Sequence, residues 1–400
     1  MKVLFVSYHF PPEGGPGVQR ISKFIKYLSG FGIKPYVLTS KHPLNVKDAS
    51  LADDLPSDIN IIRTADTAAY LPGVIRKVLK QKFVEDKHIF WSRKAGRKII
   101  KIILKENIDL ILTSSPPHSV HLAGLAAKKE LKTSWIADFR DEWTKDAQFN
   151  NRYEASYELE REVVSRCDGL ICVTKRAQDN FSKIQSKAKL IRNGFDKDDF
   201  VSLKQKKSVK NEKLKIVYSG RFTHKSSPRS FFEALNSMLY ENPQLKNKLE
   251  IDIIGSPGNY QWVNGSPQLK SVINFLPYMP HKKCIEAMDN SDALLLLSSN
   301  SKGSEVFPAK IYEYIYLRKP ILAVIEQRGE LSGFLEKYGN SYTAVASENN
   351  SISGALQSLL SDWQNGSLTN EADFNFVQKF DRKEQAEELF EFIKSVLITG

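Results

Sequence analysis

Short apolar runs alternate along the chain with longer amphipathic stretches. Val3–Tyr8, Pro35–Thr39, Asn60–Arg63, Leu110–Thr113, Ser134–Ala137 and Gly169–Val173 are short apolar segments that predict strands. Ile21–Leu28, His118–Leu131, Tyr157–Arg166 and Lys175–Lys183 space their apolar residues as helices do. From Asp196 to Lys213 the chain turns Lys-rich, with few large apolar residues and no period, which predicts a linker. The alternation then restarts, with strands Lys215–Tyr218, Glu250–Ile254, Ser271–Phe275, Ala293–Leu297 and Ile321–Val324 between helices near 229–240, 281–290, 308–317 and 329–337. Strands that alternate with helices form parallel sheets covered on both faces, so the pattern predicts an α/β chain of two doubly wound units. The expected division is 1–196, a linker 197–213, 214–380, and a final helix within 381–400. In that helix Ala386, Leu389, Phe390, Ile393 and Val396 form one apolar stripe, which suits packing on the first unit or on its own.

A length of 400 residues with 41 % hydrophobic and 10 % aromatic content excludes a disordered or fibrous chain. At 26 % charge, no apolar run approaches the roughly 18 residues of a membrane span. The first apolar run stops at Ser7, before Pro11-Pro12-Glu13, so no secretory leader is expected. Cys167, Cys172 and Cys284 are odd in number and lack Cys-x-x-Cys spacing, which fits a reducing cytoplasm and no structural metal. The net charge of +12 is unevenly placed: residues 1–200 hold 34 Lys and Arg against 24 Asp and Glu, residues 201–400 hold 24 against 22. Within 63–105, twelve basic residues face three acidic ones, interleaved with Leu71, Ile75, Phe83, Trp91 and Ile99. That composition suits an anionic membrane surface, and equally an amphipathic covering helix whose charges face water. No nucleic-acid reading module is visible, so a nucleic-acid partner is not expected.

Sheets of this kind bind ligands beyond the carboxyl ends of their strands. After the first strand comes Gly14-Gly15-Pro16-Gly17, where a ligand could approach the backbone at the start of a helix, or where the chain merely turns. As a dinucleotide fingerprint the run fails, because Arg20 occupies the third glycine position and the second strand ends in Thr39-Ser40-Lys41, with no acid for a ribose. In the second unit, Glu305-Val306-Phe307-Pro308 follows a strand, and Pro308 suits a first helical position. Glu305 and the amides of Val306 and Phe307 would then face a phosphate. Glu313 would hold two sugar hydroxyls, or pair with Lys310 on a solvated face. Gly220-Arg221 and Lys225 follow another strand, where the two cations could meet a diphosphate or simply be solvated.

These residues together resemble the retaining glycosyltransferases of family 4, which have the GT-B fold. Glu305 and Glu313 match that family's two glutamates with seven residues between them, and Gly220-Arg221 with Lys225 match its Arg and Lys pair. Gly14-Gly15 match its glycine loop, and Ile191-Arg192-Asn193-Gly194-Phe195-Asp196 match the run before its interdomain linker. The resemblance implies two Rossmann-like domains facing a cleft, an acceptor in the first and a nucleotide-diphosphate sugar in the second. It assigns the diphosphate to Arg221 and Lys225, the ribose to Glu313 and the transferred sugar to Glu305. It also implies retention of anomeric configuration with neither metal nor cofactor. Asp138 and then Asp141, at the end of Trp135–Trp143, are the candidates for the acid beside the reacting sugar, the alternative being an Asp–Arg pair that stiffens the loop. His118 lies just beyond another strand and could exchange protons or start a helix.

The expectation is thus a cytoplasmic glycosyltransferase with a saccharide or lipid-linked acceptor, as in surface polysaccharide assembly, peripheral to the membrane if 63–105 docks there. The alternatives are a sugar-nucleotide epimerase of similar fold and a non-catalytic binding protein.

Overall fold

The computed structural model describes residues 1–41, 47–66, 88–144, 154–203, 211–256, 261–298, 307–326, 329–369 and 371–399. Among these, the strands form two all-parallel sheets in two separate units, Met1–Asn193 with Arg382–Gly400, and Gly194–Asp381.

In the first unit, β1 (Lys2–Ser7), β2 (Lys34–Lys41), β3 (Asn60–Ala65), β4 (Leu110–Ser115), β5 (Ser134–Phe139), β6 (Gly169–Cys172) and β7 (Ala188–Leu190) lie in the order β3-β2-β1-β4-β5-β6-β7. All six residues of β4 are buried, as expected of a strand covered on both faces. One face packs under the helices Ile89–Glu106 and Val120–Leu131, where Gly96 lets the backbones approach at Ala123 and Ala126. The other face packs under the helices Pro16–Gly30 and Arg382–Thr399, with Ala386, Leu389, Ile393 and Val396 excluded from solvent against Val3, Phe5, Ile21 and Ile25. The terminal stripe therefore completes the first unit's core.

In the second unit, β8 (Leu214–Ser219), β9 (Leu249–Ile254), β10 (Ile273–Leu276), β11 (Ala293–Ser298), β12 (Ile321–Ile325) and β13 (Ser341–Val345) are ordered β10-β9-β8-β11-β12-β13. Its two core layers include Phe231, Leu235 and Trp363 on one face, and Ile285, Tyr312 and Phe334 on the other. The unit begins before the expected linker. Phe195 and Phe200 are buried against Tyr316, and Asp196 caps the short turn Lys197–Phe200 by accepting from the Asp198 amide. Residues 204–210 of the proposed linker lie outside the described residues.

The local expectation at Pro308 needs correction. The helix after Pro308 begins only at Ile311, because Pro308–Lys310 form a turn in which the Ile311 amide donates to the Pro308 carbonyl at 3.2 Å. Pro308 is therefore not a first helical residue, and Glu313 falls in the first turn of the helix Ile311–Tyr316. Of the amphipathic segment 63–105, the helix Ile89–Glu106 fits the covering-helix alternative: its Ile89, Trp91, Ile99, Ile102 and Ile103 are buried in the core. Residues 67–87, which hold the rest of that segment's helical pattern, lie outside the described residues. No helix among the described residues is long and apolar enough to cross a membrane.

Candidate active site

Each sheet changes winding direction once, between β1 and β4 and between β8 and β11, and the loops leaving these strands flank the crevice that doubly wound sheets use for ligands. In the first unit, Gly14 and Gly15 follow β1, and Gly15 has φ +121°, a conformation that glycine adopts freely. The carbonyl of Gly17 accepts from Arg140 Nη1, while Arg140 Nε donates to the Ser115 carbonyl and Nη2 to the Pro116 carbonyl at 3.1 Å. Arg140, leaving β5, thereby ties the end of β4 and its loop to the first turn of the helix Pro16–Gly30. Burial pushes its guanidinium down to about 10, against the opposing charges of Asp138 and Asp141.

Asp138 is fully buried and does not present a carboxylate to the crevice. Its Oδ1 accepts from Arg20 Nη2 at 2.9 Å, and its Oδ2 from Arg20 Nε at 3.1 Å and Ser114 Oγ at 2.7 Å. Arg20 also donates to the carbonyls of Ile191 and Arg192, at 3.0 and 2.8 Å. The carboxylate chosen as a reacting group thus braces helix Pro16–Gly30, β4, β5 and the chain leaving the first unit. Asp141, two residues past β5, is exposed. His118 is buried with its ring stacked on Trp143, centroids 5.7 Å apart, and its neighbour His121 shares a 2.8 Å hydrogen bond with Thr113. Burial holds His121 well below the usual histidine range. A polar group that the sequence did not single out lies near the ends of β1 and β3: the Tyr8 hydroxyl donates to Asp66 at 2.7 Å, and His88 Nδ1 lies 2.9 Å from the same oxygen. Its members are 58 and 22 residues apart in sequence, so no local signal marks it.

In the second unit, Gly220 follows β8 with φ +117° and donates its amide to the Ile254 carbonyl at 2.9 Å. Ser256 holds this turn from the next loop, donating from Oγ to the Gly220 carbonyl and accepting from the Phe222 amide, both at 2.9 Å. Arg221 is thereby placed in solvent at the strand mouth, and Lys225 follows in the turn His224–Ser226, which Thr223 caps through the Lys225 amide. Glu313 does not pair with Lys310 on a solvated face. Its Oε1 lies 2.7 Å from His281 Nε2, at the start of the helix His281–Asp289 after β10. Asp199 Oδ2 lies 3.9 Å from the other ring nitrogen of His281. Tyr314, one residue after Glu313, spans the change of winding: its hydroxyl accepts from the Ser219 amide at 3.2 Å and donates to the Leu295 carbonyl at 3.3 Å. The structure therefore gathers Gly220, Arg221, Lys225 and Glu313 on the loops and helices at one edge of this sheet. Phe307 packs its ring on Phe334 and Tyr312, with centroids 5.0 and 5.8 Å away. Glu305 and Val306 lie outside the described residues.

Residues 17–199 match Glyco_transf_4, glycosyltransferase family 4, and residues 199–375 match Glycos_transf_1, the glycosyl transferases group 1. No curated protein sequence matches the chain. Among solved structures, a glycosyltransferase from Rickettsia africae is similar over all of both chains, at 16 % identity and a TM-score of 0.71. The sucrose-phosphate synthase of Thermosynechococcus elongatus is similar over all of both chains, at 15 % identity and a TM-score of 0.73. Anabaena HepE, solved with UDP-glucose, is similar over 99 % of this chain and 100 % of its own, at 16 % identity and a TM-score of 0.69. At such identities the structural likeness establishes the fold, two parallel sheets in the GT-B arrangement, while the two sequence matches establish the family. The chain belongs to the GT-B glycosyltransferases, its first half of family 4 and its second half of group 1.

Proposed function

We propose that the second unit binds a nucleotide-diphosphate sugar at the mouth of β8 and β11. The sugar is then transferred with retained anomeric configuration to a saccharide or lipid-linked acceptor held by the first unit, as in surface polysaccharide assembly. The observation that carries this reading is the Glu313 carboxylate, fixed by His281 at 2.7 Å on the same edge as the Gly220-Arg221 turn. A fixed carboxylate accepts a pair of ribose hydroxyls, and a guanidinium can fork onto a diphosphate. The complex of Anabaena HepE with UDP-glucose supports the same class of donor.

In this mechanism Arg221 and Lys225 offset the charge that gathers on the departing diphosphate. Glu305 contacts the transferred sugar, and the amides of Val306 and Phe307 add donors. Preorganised charge of this kind contributes about 3–4 kcal/mol of barrier per donor. Gly14 and Gly15 let the acceptor approach the backbone, with exposed Asp141 beside it, and buried His118 is given no role in the chemistry. Asp138 is left out of the chemistry, since Arg20 and Ser114 already occupy its carboxylate. The side-chain cations make a metal unnecessary for charge neutralisation in this scheme.

The test is release of nucleoside diphosphate from UDP-, GDP- and ADP-sugars in the presence of lipid-linked saccharide acceptors, with the product's anomeric configuration read by NMR. Arg221→Ala and Glu305→Ala are each expected to abolish transfer while leaving the circular dichroism spectrum unchanged. Near-normal turnover in either variant overturns the site assignment, and an inverted product overturns the proposed stereochemistry.

A further inference from the structure

Lys310 has a setting unlike that of a surface lysine. It sits immediately before the helix Ile311–Tyr316, partly buried, with Nζ 3.7 Å from the centroid of the Tyr218 ring. A methyl group added at Gly220 would stand 3.0 Å from the same nitrogen, so the glycine of the β8 turn is what leaves the amine its room. The titratable groups around it are the phenols of Tyr218 and Tyr314, the thiol of Cys284 and the carboxylate of Glu313. Burial pushes Tyr218 up to about 12 and Cys284 up to about 11, so both are neutral near pH 7. The carboxylate of Glu313 is taken by His281. Among the described residues Lys310 Nζ has no hydrogen-bond or ion-pair partner. Burial pushes its amine down to about 7, although Cys284 and Glu313 oppose the shift.

An unpaired amine at the mouth of a ligand-binding strand is completed by an anion from outside the chain. We infer that Lys310 Nζ contacts the diphosphate of the donor beside Gly220, and that it takes up a proton from solvent when a nucleoside diphosphate binds. The inference rests on the donor reading proposed above and adds to it a residue and a proton. The incoming phosphate supplies the missing counter-charge, so the ammonium is favoured in the complex and the free amine in the empty site. Affinity then falls as pH rises above about 7, by at most about tenfold per pH unit.

The experiment is calorimetric titration of the full chain with UDP, GDP and ADP at pH 6.5 and 8.5, in buffers of low and high ionisation enthalpy. Wild type, Lys310→Arg and Lys310→Met are compared, with Arg221→Ala as a control for the pocket. The nucleotide's own phosphate titrates alike with every variant, so the readout is the difference in proton uptake between wild type and Lys310→Arg. Wild type is expected to take up close to one more proton at pH 8.5 than Lys310→Arg, whose guanidinium is always charged. Lys310→Met is expected to bind at least about tenfold more weakly at pH 6.5 and to lose the extra uptake, while Lys310→Arg restores affinity. Equal proton uptake by wild type and Lys310→Arg overturns the inference even if the Met variant does not fold. Binding that Arg221→Ala weakens but Lys310→Met leaves intact overturns it while the donor reading stands. If wild type binds none of the three nucleotides, the donor reading falls and this inference falls with it.

Discussion

Gly17 would carry a methyl group 2.5 Å from Arg140 Nη1 if it were alanine, and that guanidinium cannot retreat while it holds three backbone carbonyls. Gly17→Ala is therefore expected to destabilise the first unit by about 1–3 kcal/mol, the usual cost of overpacking, measurable by chemical denaturation. Lys310 supplies a test of opposite kind, because its amine falls from an ordinary 10.5 to about 7 in the fold. Between these values the unfolded chain binds more protons than the native one, so this group's contribution to stability rises with pH across that window. Thermal unfolding of Lys310→Met followed from pH 7 to 10 is expected to gain less stability than wild type over the same range. Both residues show where sequence stops being informative. Arg20 entered only as the residue that breaks a dinucleotide fingerprint, and Lys310 only as a solvated partner for Glu313. Their true neighbours, Asp138 and Tyr218, are 118 and 92 positions away, and no spacing rule reaches that far.

At the scale of elements, apolar periodicity marked most of the strands and helices that are buried on a long stretch. It located eleven of the strands, each within a few residues of its observed bounds. It passed over β7 and β13, which lie at sheet edges, are three and five residues long, and are only partly buried. Edge strands need no continuous apolar run, since one side meets solvent. The helix Asn349–Asn365 was also missed, although Ile352, Leu356, Leu359, Leu360 and Trp363 recur at helical spacing and are buried. In the terminal helix the stripe was legible and its destination was not. Leu389 is fully buried against the helix Pro16–Gly30 and its strands, so Leu389→Ala is expected to cost about 2–5 kcal/mol. Hydrogen exchange should rise in Pro16–Gly30 and in the terminal helix together; a rise confined to the terminal helix would mean that the stripe does not support the first unit's core.

For the molecule as a whole, the buried pair of Arg20 and Asp138 fastens four stretches of the first unit, including the residues Ile191–Asn193 that lead out of it. Removing one partner strands a charge in the interior, a loss of about 3–5 kcal/mol. Arg20→Met is expected to show that loss in denaturant titration, and Arg20→Met with Asp138→Asn to recover part of it, because the second change removes the orphaned charge. If the double variant is no more stable than the single one, the pair is not what the carboxylate is there to satisfy.

By itself the sequence determined two doubly wound units, the order of their strands in the chain, and the glycines and charged residues that sit at strand ends. These depend on local period and turn chemistry, which act between residues a few positions apart. Tertiary structure alone decided that the last helix closes the first core, that Asp138 is consumed by Arg20, that His281 fixes Glu313, and that Lys310 faces an aromatic ring with no ion-pair partner among the described residues. Each of those depends on which side chains meet once the sheets are wound. Burial then lowers the amine of Lys310 and the guanidinium of Arg140, and winding chooses the partners of the charged groups it encloses.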